Sequence, residues 1–296
     1  MVAIERHAAA WTEFWNEQKE AAGCCASAPE IRRPITRHWT GFAQSLVAGS
    51  HVLDLACGTG AAGRALVAAN PSLCVTGIDF AMVPACREPQ IEILPAIKME
   101  QLPFADGSFD AAVSQFGFEY GAVDMASVEL ARVLRRGAPF SLLVHHSAGR
   151  IAKDSINHRQ ALQLISGAAM EAAFLSGDDA RLDRQLAHMR RQYPHERIID
   201  EAGNGFRRMI AQSAAHRAEI WQAVRTALEP ELVMLADLAE AAVSPDMLPA
   251  WLSHFDHRLK LQQTTVLTMS NGHTLCWKVE GVRRTGLQSV PSAGPN

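Results

Sequence analysis

The chain has no apolar run near the roughly 20 residues that a membrane-spanning helix requires. None of its six cysteines falls in a Cys-x-x-Cys pair, and no histidine spacing suits zinc. These absences exclude a transmembrane helix and a cysteine-based zinc module, and no other metal is expected. A strong charge of either sign is also missing. With 28 Lys and Arg against 31 Asp and Glu, the formal charge is −3. No general attraction to a polyanion follows, which disfavours nucleic acid as a partner. The first residues carry Glu5, Arg6 and His7 where a secretory signal would have an apolar core, and there are no internal repeats. The cysteines are scattered at 24, 25, 57, 74, 86 and 276. Cys57 and Cys74 are expected as buried free thiols of a reduced, cytoplasmic protein with no membrane partner. What the chain does have is 296 residues, 48% of them hydrophobic and 20% charged. That suffices for one large domain or a core with an insertion.

The most informative stretch is Val52-Leu53-Asp54-Leu55-Ala56-Cys57-Gly58-Thr59-Gly60. Val52, Leu53 and Leu55 form a short apolar run suited to a buried parallel strand. Gly58, Gly60 and Gly63 then give a Gly-x-Gly-x-x-Gly spacing, and residues 61–69 read as a helix stopped by Asn70-Pro71. Such a turn lets a ligand approach the main chain, and the helix start offers unpaired N–H groups. Nicotinamide and flavin enzymes use the same spacing. Asp54 argues against them: a carboxylate four residues before the first glycine repels phosphates and attracts a cationic group. The second strand, Leu73 to Ile78, ends in Asp79, about 20 residues past the first glycine. An acid there accepts hydrogen bonds from the ribose of an adenosine. The competing reading of Asp79 is a helix N-cap.

Residues 52–60 closely resemble motif I of the class I S-adenosylmethionine-dependent methyltransferases, Val-Leu-Asp-x-Gly-Cys-Gly-x-Gly, with Ala56 where many members have glycine. Leu102-Pro103-Phe104-Ala105-Asp106-Gly107-Ser108-Phe109-Asp110 matches a second pattern of that family, Leu-Pro-Phe-x-Asp-x-Ser-Phe-Asp. The resemblance covers about residues 50–145 and the C-terminal hairpin. It implies an α/β, Rossmann-like fold: a seven-stranded, mostly parallel sheet with an antiparallel last strand, plus an inserted helical subdomain. It also implies S-adenosyl-L-methionine as cofactor. The cofactor contacts it suggests are Asp54, Ala56, Gly58, Gly60, Asp79, Phe80 against the adenine, Met99, Glu100 and Gln115. One departure stands out. Four residues before Leu102 the family usually has an acid for the adenine amino group, and this chain has Lys98, a donor only. If Ile91 to Met99 is the third strand, Glu100 shares the face of Lys98 and takes over. Otherwise main-chain groups and Met99 hold the adenine.

Residues 1–50 read as a helical cap. Trp11, Phe14, Trp15 and Gln18 fall at helical spacing, and residues 23–29 break the pattern. Ile35, Trp39, Phe42, Leu46 and Val47 then share a face. These aromatics either pack on the sheet or fold over the cofactor as a lid. Asp110 to Gln115 is the fourth strand. Ligands of open α/β sheets bind beyond the carboxyl ends of strands, where strand order reverses, so Gln115 to Tyr120 should border the reacting methyl. Tyr120 or Glu119 is placed to orient a substrate there, or the aromatic loop simply packs on its neighbours. A helix over Val128 to Leu134 leads to the fifth strand, Phe140 to Val144, and then to His145-His146-Ser147. His146 is a candidate general base and joins Tyr120 in the candidate catalytic set; a structural histidine is the alternative.

From 150 to 258 the pattern is helical and reads as an insertion over the substrate site. One helix is expected through Phe206 and Leu228, another from Pro230, and a third capped by Ser244-Pro245. The Arg- and His-rich segment Asp178 to Arg197 is a solvated face or a surface for an acidic substrate. The insertion can instead mediate a homodimer. Residues 259–283 read as two strands joined at Asn271-Gly272, and 284–296 as a disordered tail. The implied function is methyl transfer to an O or N atom of a small-molecule acceptor. A nicotinamide oxidoreductase and a protein that binds S-adenosylmethionine without transferring its methyl are the alternatives. A macromolecular methyltransferase would need a basic face beside Gln115.

Overall fold

The structure, a computed structural model, describes residues 2–17 and 28–286. The expected helix break at 23–27 and the tail beyond 286 lie outside the described residues. Two helices, α1 (Val2–Glu17) and α2 (Pro29–Ser45), precede β1 (His51–Leu55), α3 (Ala61–Ala69), β2 (Cys74–Ile78), β3 (Ile91–Leu94) and β4 (Ala111–Gln115). A 3-10 turn (Phe118–Tyr120), α4 (Val123–Val133) and β5 (Pro139–His145) follow. Five helices come next: α5 (Arg150–Ile165), α6 (Ala168–Ser176), α7 (Asp179–Gln192), α8 (Arg197–Met209) and α9 (Ala214–Ala241). The chain closes with α10 (Leu248–Ser253) and the hairpin β6 (Leu259–Thr268) and β7 (Thr274–Arg283).

The chain divides into two compact units, one of Met1–Phe14 with Ala152–Glu240 and one of Trp15–Ile151 with Ala241–Asn296. The second holds a seven-stranded sheet in the order β3-β2-β1-β4-β5-β7-β6. β1 to β5 pair in parallel, while β7 runs antiparallel to both β5 and β6. The antiparallel last strand is present as expected, for β7 alone is reversed. β6 turns back and aligns with the first five. Strand order reverses between β1 and β4, as expected.

Register sorts the side chains onto two faces. Asp54 pairs with Val113 and Val113 with Ser141, while Gln115 pairs with Leu143. Paired residues of a parallel sheet point the same way and alternate along a strand. Asp54, Gln115, Ser141, Leu143 and His145 therefore share one face. α2 and α3 cover it, for Trp39 Nε1 donates to Gln115 Oε1 at 2.6 Å, His38 Nε2 lies 2.9 Å from Ser141 Oγ, and Gly63 N donates to Asp54. Leu53, Leu55, Phe140, Leu142, Val144, Trp277 and Val279 fill the other face, against Leu130 of α4, with Trp251 and Phe255 packed beside them. The Leu-Pro-Phe segment is clasped to α4. Arg132 donates to the carbonyls of Leu102 and Phe104 and to Asp106, and Glu129 accepts from Leu102 N at 2.7 Å.

Several boundaries differ from the pattern-based expectation. β3 stops at Leu94 and does not reach Met99. Pro95 has no N–H for a ladder and Ala96 adopts φ +59°, so Lys98 and Glu100 are not strand neighbours. Val47 lies past the end of α2 and is exposed, and Cys74 is exposed at the start of β2. Phe206 and Trp221 belong to separate helices, α8 and α9. Pro230 lies inside α9 and does not start a helix. Thr226, whose carbonyl loses its donor there, is exposed and open to water. The helical stretch ends before 258: Val243 bridges to His146 and accepts from Trp277 Nε1 at 2.9 Å, which fixes residues 241–258 to the sheet unit.

Candidate active site

The glycine turn begins where β1 ends. Ala56 takes φ +52°, Gly58 +51° and Gly60 +85°, all in the left-handed region. For glycine this is free, while alanine gives up about 1 kcal/mol. Gly117, after β4, packs so close that a methyl group there would collide with the Ala56 methyl, and Phe116 beside it is held at φ +59°. Two strained non-glycine residues thus meet at the point where strand order reverses, the kind of position at which strain accompanies a binding site. Gly60 starts α3 without a side-chain cap, leaving helix N–H groups directed at the turn. Arg64, which the sequence reading missed, donates to Thr59 O and braces the turn. At Gly58 an added methyl would lie 2.5 Å from the Trp15 indole. Trp15 therefore packs directly on this turn.

Two buried carboxylates flank the turn. Asp54 is 1% exposed; its Oδ2 accepts from Gly63 N at 3.1 Å and its Oδ1 has no hydrogen-bond partner among the described residues. Burial, with Asp79 nearby, pushes its pKa up to about 7. Asp79 accepts from Gly58 N at 2.8 Å through Oδ2 and from Ala81 N at 2.9 Å through Oδ1, and burial raises it to about 6. No helix follows it, so Asp79 is not an N-cap; it makes a local side-chain turn and ties β2 to the glycine turn. Each of its oxygens keeps a lone pair for another donor. Thr59 Oγ1 is a further buried polar atom without a partner among the described residues. An unpaired carboxylate oxygen, raised acids and bare helix N–H groups make a cradle that fits a group carrying both an ammonium or sulfonium charge and a carboxylate.

The other sequence-named residues divide into three groups. Phe80 is half-buried just after Asp79. Met99 is buried, and Glu100 Oε1 accepts from Ala122 N at 2.8 Å, so both support the Gly121-Ala122 turn after the 3-10 segment. Gln115 anchors Trp39 at the β4 end. Tyr120 lies edge-on to His145, with ring centroids 6.0 Å apart. His146 is on the opposite face from Asp54. Its ring stacks on Trp277 at 4.3 Å, and Nδ1 accepts from Ala148 N at 3.0 Å, closing the turn after β5. His145 is the residue brought to the Asp54 face. It is buried, stacks on Phe116 at 4.6 Å, and gives Glu119 Oε1 two contacts of 2.8 Å, from its backbone N–H and from Nδ1. The sequence reading stopped β5 at Val144 and so lost the alternation that separates His145 from His146. Among the described residues no group of three or more His, Cys, Asp and Glu is arranged to hold a metal, and no helix is long and apolar enough to cross a membrane.

Comparison with known proteins agrees with this geometry. Residues 52–137 match a family model described as a methyltransferase domain. A ubiquinone/menaquinone biosynthesis C-methyltransferase from a Geobacter species is 33% identical over 124 residues, covering 37% of this chain and 52% of its own. A demethylmenaquinone methyltransferase of Renibacterium salmoninarum is 36% identical over 116 residues, covering 37% and 47%. The chain thus spans about half the length of the curated relatives it matches. Among solved structures, a Burkholderia thailandensis didemethyltoxoflavin N-methyltransferase with bound S-adenosylhomocysteine superposes with a TM-score of 0.50. It covers 95% of this chain and 88% of its own at 9% identity, a likeness of fold alone. Residues 52–137 are thus a methyltransferase domain, and over that segment the chain is similar to the class I S-adenosylmethionine-dependent methyltransferases.

Proposed function

We propose that this chain transfers a methyl group from S-adenosylmethionine to an oxygen or nitrogen atom of a small-molecule acceptor. The observation that carries the reading is Asp54 Oδ1, a fully buried carboxylate oxygen at the head of the glycine turn with no partner among the described residues. A buried anion of this kind is costly until a cation meets it. Gly58 and Gly60 let the main chain approach the amino-acid end of the ligand, and the bare start of α3 receives its carboxylate. Asp79, already fixed by two main-chain donors, has the geometry to accept from a ribose diol. Phe80 and Met99 offer apolar contact for the adenine. Glu100 reaches it only with the oxygen that Ala122 leaves over.

The bound cofactor supplies an electrophilic methyl on a sulfonium. The protein's part is to hold the acceptor in line with it and keep water out. Gln115, Phe116 and Tyr120 border that space, and Trp15 covers the turn, the part a lid would play. His146 serves the β5 turn in this reading. A nicotinamide at the same site would place phosphates against Asp54, which disfavours the oxidoreductase alternative.

Calorimetry on the full chain tests the reading. S-adenosylhomocysteine should give saturable heat and NADH none. With methyl-labelled cofactor and a small-molecule extract, label should leave the cofactor for the small-molecule fraction. Heat from NADH alone, or from neither compound, overturns the assignment; binding without label transfer leaves a non-catalytic binder.

A further inference from the structure

We propose that Glu119 is the specificity-determining residue for the methyl acceptor, taking a hydrogen bond from an O–H or N–H that the acceptor carries, and that His145 is its positioning residue. The inference rests on the methyltransferase reading and adds the chemistry of the second substrate.

The Glu119 side chain is 0% exposed and sits in the 3-10 turn that follows β4. Its Oε1 is saturated by His145, through the backbone N–H and Nδ1, each at 2.8 Å. Its Oε2 is buried and has no hydrogen-bond partner among the described residues. Two contacts on one oxygen and none on the other fix the carboxylate in rotation, so Oε2 is an oriented acceptor. A buried carboxylate oxygen without a donor is among the costlier arrangements in a protein interior, and its retention calls for a ligand donor.

Its location links it to the reacting edge. Phe116 stacks on His145, and Gly117, the next residue, packs against Ala56 at the head of the glycine turn. His145 also shares the sheet face of Asp54 and Gln115. Aromatic rings of Phe116 and Tyr120 surround the pair, which suits a flat acceptor such as a phenol or a ring N–H heterocycle. With Nδ1 protonated, His145 donates to Glu119 and keeps that carboxylate from rotating. Glu119 and Asp54 are thus the two buried carboxylates at this edge with an unsatisfied oxygen, one for each substrate.

The test uses probe pairs that differ only in the donor. On full-length protein saturated with S-adenosylhomocysteine, phenol and anisole, then aniline and N,N-dimethylaniline, are titrated while backbone amide shifts are followed. Phenol and aniline should perturb the amides of Glu119, Tyr120 and His145 and bind about tenfold more tightly than their methylated counterparts. Glu119→Gln, which keeps the shape, should lose that preference while binding S-adenosylhomocysteine as the parent does. Independently of any ligand, imidazole nitrogen shifts should show His145 protonated at Nδ1, and this tautomer preference should weaken in Glu119→Gln. Equal binding of capped and uncapped probes, or perturbation confined to another surface, overturns the proposal even where S-adenosylhomocysteine binds. If Glu119→Gln does not fold, the parent's probe preference and amide map decide alone. Failure of S-adenosylhomocysteine to bind the parent overturns the methyltransferase reading instead.

Discussion

Among the described residues, the buried polar atoms without a partner in the sheet-bearing unit include two carboxylate oxygens, Asp54 Oδ1 and Glu119 Oε2, and the Thr59 hydroxyl. In the helical unit they include the donors Arg159 Nε and Trp221 Nε1, and several ionic groups there pair with one another. His158 lies between two carboxylates, 2.8 Å from Glu196 and 3.1 Å from Glu231. Arg190 pairs with Asp200, Arg207 with Asp183, and Asp237 accepts from Trp11 and pairs with His7. An aromatic trio, Phe174, Phe206 and Trp221, packs at centroid distances of 4.9–6.4 Å and joins α6, α8 and α9. The contrast separates two uses of buried polarity. In one unit carboxylate oxygens and a hydroxyl are buried without a partner among the described residues, and in the other ion pairs link neighbouring helices.

The largest expected effect breaks the helical side. Trp221→Ala should cost about 3–5 kcal/mol by opening a cavity among the aromatic trio, read as a lower denaturant midpoint for helical ellipticity. Affinity of the folded protein for S-adenosylhomocysteine should change less than about twofold if the two units differ as described. The matching change on the sheet side is Asp79→Ala. It removes two charge-assisted acceptors and leaves Gly58 N–H unpaired, so S-adenosylhomocysteine should bind about 100-fold more weakly, on the order of 3 kcal/mol. Normal binding by that variant would end the ribose assignment.

Two pH dependences of opposite origin sharpen the comparison. Asp54 and Asp79 have folded pKa values raised to about 7 and about 6 by burial. Their contribution to folding is fully present below the ordinary aspartate value and is lost as pH rises through 6 to 7. The ammonium group of a ligand favours the ionised form, so S-adenosylhomocysteine affinity should rise about tenfold between pH 5.5 and 7.5. Asp54→Asn should flatten that rise. His158 is raised to about 9 by the hydrogen bonds it donates to Glu231 and Glu196, which outweigh its burial. Its stabilisation is complete below the ordinary histidine value of 6.5 and is lost as pH climbs through about 9. The pair is partly solvated, so the loss should be about 1 kcal/mol. His158→Gln should remove this alkaline slope and leave the acidic one untouched.

The smallest effect is a gain. Ala56→Gly should stabilise the protein by up to about 1 kcal/mol by relieving a left-handed alanine, partly offset by glycine's greater freedom when unfolded. Cofactor binding should stay unchanged. A loss of stability would mean that the Ala56 methyl against Gly117 is worth more than the strain.

Strand, glycine turn and helix were legible at β1 and α3, because residues adjacent in the chain are adjacent in space there. So was the hairpin at Asn271-Gly272, where turn chemistry is local. Legibility failed where a distant partner decides. Nothing near Glu119 in the chain shows that its carboxylate ends on His145, 26 residues on. The helical pattern was correct in kind and wrong in its joints, since Pro230 inside α9 and the break between Met209 and Ala214 depend on which face meets solvent.

By itself the sequence determined the resemblance to a methyltransferase domain, the order of strands and helices through β5, and the two carboxylates that flank the glycine turn, all short-range matters of spacing and residue type. Only the tertiary structure decided which of two adjacent histidines faces the site, that Glu119 is a buried acceptor with one oxygen open, and that Trp15 packs on Gly58. The physical reason is that hydrogen bonds, stacking and burial are set by atoms within a few ångströms. In a crossed sheet those atoms come from residues tens of positions apart.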